Sequence, residues 1–199
     1  MKIDDEFATI EAVLASAAET RGVDAFALAL IKAERQMRKL FTYLVFQFDA
    51  FSSGDVEALR NALANRRLYF GDFVLGWDRL YTRPLKEVVG PDHDCLRSDL
   101  EEAIECRNKI FHGQLTTRYL SRAELIGFAA QIRCWCRALA AGSQREVGYD
   151  GFGRNSFRKS DPPLKDRLAT KINSVQDYNQ LLAAMEKQPK GRFRSRPGS

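Results

Sequence analysis

Residues 105–114 read ECRNKIFHGQ and set Arg107, Asn108 and His112 within six positions of one another, just ahead of Gly113. Imidazole titrates near neutral pH and can take or give a proton. Arginine is a fixed cation whose planar fork matches phosphate oxygens. A neighbouring amide can hold a substrate oxygen or orient the imidazole. Together these groups suit attack on a phosphodiester without a metal ion. Histidine would remove the proton of a ribose 2′-OH. Arginine would stabilise the charge that develops around phosphorus. A second histidine, related by two-fold symmetry, would protonate the leaving 5′ oxygen.

A helix must carry these residues. Leu96, Leu100, Ala103, Arg107 and Ile110 alternate at spacings of four and three, a helical period, so Arg107 falls on an apolar stripe. A guanidinium there needs a counter-charge, a second subunit or a cleft. Arg107 and His112 are five apart, about 140° around a regular helix. They converge only if the helix unwinds near Gly113, which suits a C′ position, or if two helices meet in a dimer. Plainer roles are open for both: an ion pair with an acidic residue on a neighbouring helix for Arg107, and a place favoured by the helix dipole for His112.

The pattern Arg107-Asn108-x-x-x-His112-Gly113, late in a helix of a helical chain, resembles the R-x4-6-H motif of the HEPN superfamily. The resemblance covers roughly residues 1–147 in architecture and rests on about seven residues in detail. It implies a helical bundle that dimerises and cleaves RNA without a metal or other cofactor, as do family members in toxin–antitoxin, CRISPR-associated and phage-defence systems. The family's arginine and histidine map onto Arg107 and His112, and the polar residue after the arginine maps onto Asn108. A supporting polar residue from the second helix is also implied, and Glu34 is in position for it. The implied partners are an RNA substrate (tRNA among the candidates), a second copy of the chain, and an antitoxin such as a small nucleotidyltransferase. Some members are catalytically silent, so a helical adaptor that binds nucleotide, RNA or a protein partner stays open as the alternative.

The surrounding elements read as helix after helix. Apolar residues recur at helical spacing over 4–20 and again over 24–50, where Phe26, Leu30, Ala33, Met37, Leu40, Leu44, Phe48 and Phe51 make one stripe. SSGD at 52–55 offers a loop and a cap before a short helix with Val56, Leu59 and Leu63. A further apolar face covers 70–81 and should end at Pro84. Ser121 and Glu124 form a capping box for a helix to about Ala141, with Gly142 behind it. No alternating segment is long enough for a strand. The fold class is therefore all-α, a bundle of about five helices over 1–147. A basic extension over 148–199 follows, with one helix from Ser174 to Lys187 and a disordered end.

The net charge of +5 is uneven. Residues 1–143 hold 19 Lys/Arg against 20 Asp/Glu, a balance of −1; residues 144–199 hold 12 against 6, a balance of +6. GFGRNSFRKS at 151–160 and GRFRSR at 191–196 mix basic and aromatic residues, which can hold phosphates and stack on bases. Arg154, Arg158, Lys159, Arg192 and Arg194 are therefore candidate RNA contacts, with a solubilising tail as the plainer reading. For Glu34 the plainer reading is a solvated pair with Arg38, four residues on. His93, Cys95, Cys134 and Cys136 lack the spacing of common zinc modules, and all four cysteines, Cys106 included, read as buried thiols. No apolar run is long enough for a membrane, and the acidic MKIDDEF start is unlike a secretory signal, which together point to the cytoplasm.

Overall fold

The apolar periodicities become eight α-helices in the computed structural model, which describes residues 3–111, 120–153 and 155–187. They are α1 (Ile3–Ala15), α2 (Arg21–Phe46), α3 (Val56–Ala64), α4 (Phe70–Leu80), α5 (Leu85–Val89), α6 (His93–Phe111), α7 (Arg122–Val147) and α8 (Val175–Glu186). Short 3-10 turns cover Ser53–Asp55 and Lys165–Arg167. Among the described residues there is no strand, only an isolated antiparallel bridge between Tyr81 and Leu168. No helix there is long and apolar enough to cross a membrane.

Two 26-residue helices, α2 and α7, form the spine. Gly22 lies against Arg122, Phe26 against Phe128, Gln36 against Cys136 and Tyr43 against Val147. Both members of each pair rise together, so the two helices run parallel. The α1 helix crosses in the opposite sense. Asp4 pairs with Arg137 at 3.0 Å, while Glu11, two turns on, pairs with Arg133. The core between these helices contains Phe7, Phe26, Met37, Leu40, Trp77, Trp135 and Leu139, all buried.

The α7 helix opens on the expected capping box. Ser121 Oγ accepts from the Glu124 amide, and the Ser121 amide donates to Glu124 Oε2 at 2.8 Å. It does not stop at Ala141. Gly142 lies inside the helix, and a Cβ there would sit 1.9 Å from the Val88 carbonyl oxygen. This glycine lets the backbone of α5 lie directly on α7. The left-handed terminator is Gly148, at φ 71°.

Other expected boundaries also move. The α2 helix ends at Phe46, yet Phe48 and Phe51 stay buried beyond it, so the apolar stripe outlasts the helix. The fourth helix stops at Leu80. Pro84 instead precedes α5, which is too short for periodicity to reveal. With α5 added, the described residues up to 147 hold seven helices rather than about five, and α8 lies where a helix from Ser174 to Lys187 is expected. Residues after 147 share the same core: Tyr149, Phe152, Leu164, Ile172, Tyr178, Leu182 and Met185 are buried with it, and the Tyr178 ring stacks on Phe41 at 6.3 Å. Only Cys136 is a buried thiol, with its pKa pushed up by burial. Cys106 is half-buried, and Cys95 and Cys134 are exposed. Residues two apart on a helix face different ways, which separates Cys134 from Cys136.

Two glycines in α7 should respond oppositely to alanine. Gly127 is exposed with nothing near its missing Cβ, so Gly127→Ala should stabilise the fold by up to about 1 kcal/mol. Gly142→Ala must push α5 away and should cost about 1–3 kcal/mol. Urea unfolding midpoints of the two variants check both signs.

Candidate functional site

The α6 stripe behaves as its spacing requires. Leu100 and Ala103 are buried, Leu96 and Ile110 are partly buried against the core, and α6 stays helical through Phe111. Arg107 emerges from this stripe with 26% of its side chain exposed. Its Nη2 donates to Glu34 Oε1 at 2.5 Å, joining α6 to α2, and the Glu34 side chain is 31% exposed. Among the described residues the buried Arg107 Nε has no hydrogen-bond partner. Asn108, the next residue, faces solvent. His112 and Gly113 lie outside the described residues.

Glu34 therefore reaches across to α6 instead of pairing along its own helix. Arg38, the partner that helical spacing favours, places its guanidinium 5.6 Å from the centre of the Phe73 ring. Helical spacing relates Glu34 only to its neighbours on α2. It is blind to an arginine 73 residues away.

The described residues of the basic segment, 151–153 and 155–160, form a folded strap. Lys159 Nζ donates to the Phe46 and Phe48 carbonyls, each at 2.7 Å, where α2 ends. Arg158 donates from Nη2 to the Gly148 carbonyl at 3.0 Å, where α7 ends, and its guanidinium stands over the Tyr43 and Tyr149 rings. Helix C-termini offer unpaired carbonyls and the negative end of the dipole, so cations belong there. Both side chains remain exposed, with Arg158 donating once and Lys159 twice to these carbonyls. Arg154, Arg192 and Arg194 lie outside the described residues.

The α2 helix holds this strap from its own side. Gln36 Nε2 donates to the Cys136 and Asp150 carbonyls, both at 3.0 Å. Lys39 Nζ donates to the Phe152 and Gly153 carbonyls at 3.1 and 2.8 Å. Tyr43 donates to the Val147 carbonyl, and Gln47 donates to Arg158 O and accepts from the Ser160 amide. Gly151 fits because its φ is +82° and a Cβ would meet Gln36 Cγ at 2.6 Å. Burial and then the Arg35 charge lower the Lys39 pKa.

The zinc alternative finds no geometry. Among the described residues no three His, Cys, Asp or Glu side chains are grouped to hold a metal ion. His93 instead bonds Asp94 through Nδ1 at 2.8 Å and lies against the Trp135 ring.

Removing the Lys159 ammonium strips two α2 carbonyls of their donor. Lys159→Gln should cost about 1 kcal/mol of stability and speed amide exchange at the last turn of α2. Hydrogen-exchange rates over residues 43–48 read the local effect.

Compared with protein-family models, with curated proteins and with solved structures, the chain matches none of them.

Proposed function

We propose that this chain is a metal-independent endoribonuclease of the HEPN type, working as a dimer in the cytoplasm as a toxin or phage-defence effector. The observation that carries the reading is the Arg107–Glu34 pair. A guanidinium on the inward stripe, one turn from the end of α6, is held at 2.5 Å by a carboxylate of the neighbouring helix. Its Nε is buried and has no acceptor among the described residues. A buried donor in that state costs about 1–3 kcal/mol, which a phosphate oxygen would recover. Glu34 is then the positioning residue that aims Arg107.

In the reaction, His112 takes the proton of the 2′-OH, and the 2′ oxygen attacks the adjacent phosphorus. Arg107 stabilises the five-coordinate phosphorus, and Asn108 holds a substrate oxygen or His112. The bond from phosphorus to the 5′ oxygen breaks as the second subunit's histidine delivers a proton. The products are a 2′,3′-cyclic phosphate and a 5′-hydroxyl, with no net change in protons. A toxin of this kind needs an antidote, and a small nucleotidyltransferase is the proposed partner.

A second reading, the catalytically silent adaptor, draws on the same pair. Arg107 already has its counter-charge in Glu34, so its presence is explained without a substrate.

Incubation with total RNA and tRNA in excess EDTA separates the two. The nuclease reading expects discrete fragments ending in 2′,3′-cyclic phosphate. His112→Ala should lower the rate about 10²–10⁴-fold and Arg107→Ala about 10²–10³-fold. Glu34→Gln should lower it by up to about 100-fold through misplacement of the guanidinium. Cleavage that survives both Arg107→Ala and His112→Ala would assign the activity elsewhere. A folded dimer that cleaves nothing would support the adaptor.

A further inference from the structure

A cleft of about 370 Å³ opens where α2, α3, α4 and the strap meet. Arg38, Lys39, Arg60 and Arg66 line it, with the Phe73 and Phe157 rings. Among the described residues no carboxylate lines it. The cations differ in how they are occupied. Arg66 is paired with Glu186 at 3.3 Å, and Lys39 donates to two strap carbonyls. Arg38 and Arg60 have no ion pair among the described residues. Each guanidinium rests against a ring, Arg38 on Phe73 at 5.6 Å and Arg60 on Phe157 at 5.1 Å. Ring contact fixes an arginine and leaves its in-plane N–H donors facing outward. Ser156 is buried in the wall.

Two exposed arginines held near one concavity without counter-charge make a receptor for phosphate. The volume is at the low end of ordinary ligand sites, right for one nucleotide unit and too small for a duplex. Its place matters as well. Glu34, which holds Arg107, and Arg38, on the cleft rim, are four residues apart on α2. They therefore share a face, about 6 Å apart along the axis. The cleft thus begins one helical turn along α2 from the carboxylate that holds Arg107.

We infer that this cleft is a subsite for single-stranded RNA, with Arg38 and Arg60 clamping a backbone phosphate of the strand beside the scissile bond. The inference rests on the ribonuclease reading for what the strand is doing there, while binding itself can be measured without cleavage. All four cations of the cleft come from the part of the chain whose summed charge is near zero. The subsite is built by the packing of α2 on α3 and α4.

The experiment uses the full-length chain carrying His112→Ala and a short fluorescent single-stranded RNA, with affinity measured over a range of salt. The added pair Arg38→Gln and Arg60→Gln should weaken binding and make the salt slope shallower by about 0.7 for each phosphate no longer neutralised. Lys171→Gln removes an exposed cation outside the cleft and should leave the slope unchanged. The pair Arg38→Lys and Arg60→Lys keeps the charge and should restore most of the slope. Both arginines are exposed, so urea midpoints should stay level across the set. A slope for the glutamine pair equal to that of the Lys171→Gln control would overturn the subsite. So would tight binding of AMP or inorganic phosphate at the cleft with no affinity for the strand, since the ligand would then be a free phosphate. Failure of the nuclease reading shows separately, as absent cyclic-phosphate ends from the chain with His112 intact.

Discussion

The polar stripe of α2 is the constraint on which the rest of this structure depends. Gln36, Lys39 and Tyr43 follow one another at three to four residues, so they share one side of the helix, and Gln47 continues the line at its C-cap. Each donates to a main-chain carbonyl between residues 136 and 158. Buried or half-buried carbonyls of an irregular segment would be costly if left unpaired, and among its described residues there is no strand to pair them. The strap answers in kind. Lys159 and Arg158 meet the carbonyls at the ends of α2 and α7. Two parallel helices and the loop that leaves one of them are thereby locked into a single register.

That register decides where the candidate chemistry stands. Glu34 lies on α2 two residues before Gln36, and the strap fixes how α2 is rotated against α7. The α6 helix packs mainly along α7, so the distance between Glu34 and Arg107 is set by how these helices sit together. Arg97 shows the same arrangement further up α6. It pairs with Glu101 on its own helix and lies over Phe70 at 5.3 Å. Arginines on this side of the fold are repeatedly held by one carboxylate or one ring, which orients a flexible side chain without neutralising every donor.

Much of the helical scaffold was legible because its cause is local. The stripe from Phe26 to Leu44 and the Ser121–Glu124 box are patterns within a few turns, and the structure has helices at both. What could not be read depends on partners far along the chain. Gly142 has the look of a helix terminator until Val88 is packed against it. The α2 polar stripe has the look of a break in hydrophobicity until the strap, about 110 residues away, is brought to it. At the candidate site, Arg107 on an apolar stripe announced the need for a counter-charge, but helical spacing pointed Glu34 toward Arg38. The geometry of one helix does not say which neighbour will lie closer.

The same reasoning applies to charge. By composition the last quarter of the chain is basic and the remainder is nearly neutral, which directs attention to the C-terminal segment. Yet Arg158 and Lys159 are engaged at helix ends, where their charge offsets the aligned carbonyl dipoles. The arginines without a carboxylate partner at the cleft, Arg38 and Arg60, come from the electrically balanced part. A segment's net charge counts cations regardless of what they touch. An anionic ligand responds only to those whose counter-charge is missing and whose position is fixed. At the cleft those two conditions are met by Arg38 and Arg60, cations from α2 and α3 brought together over the Phe73 and Phe157 rings.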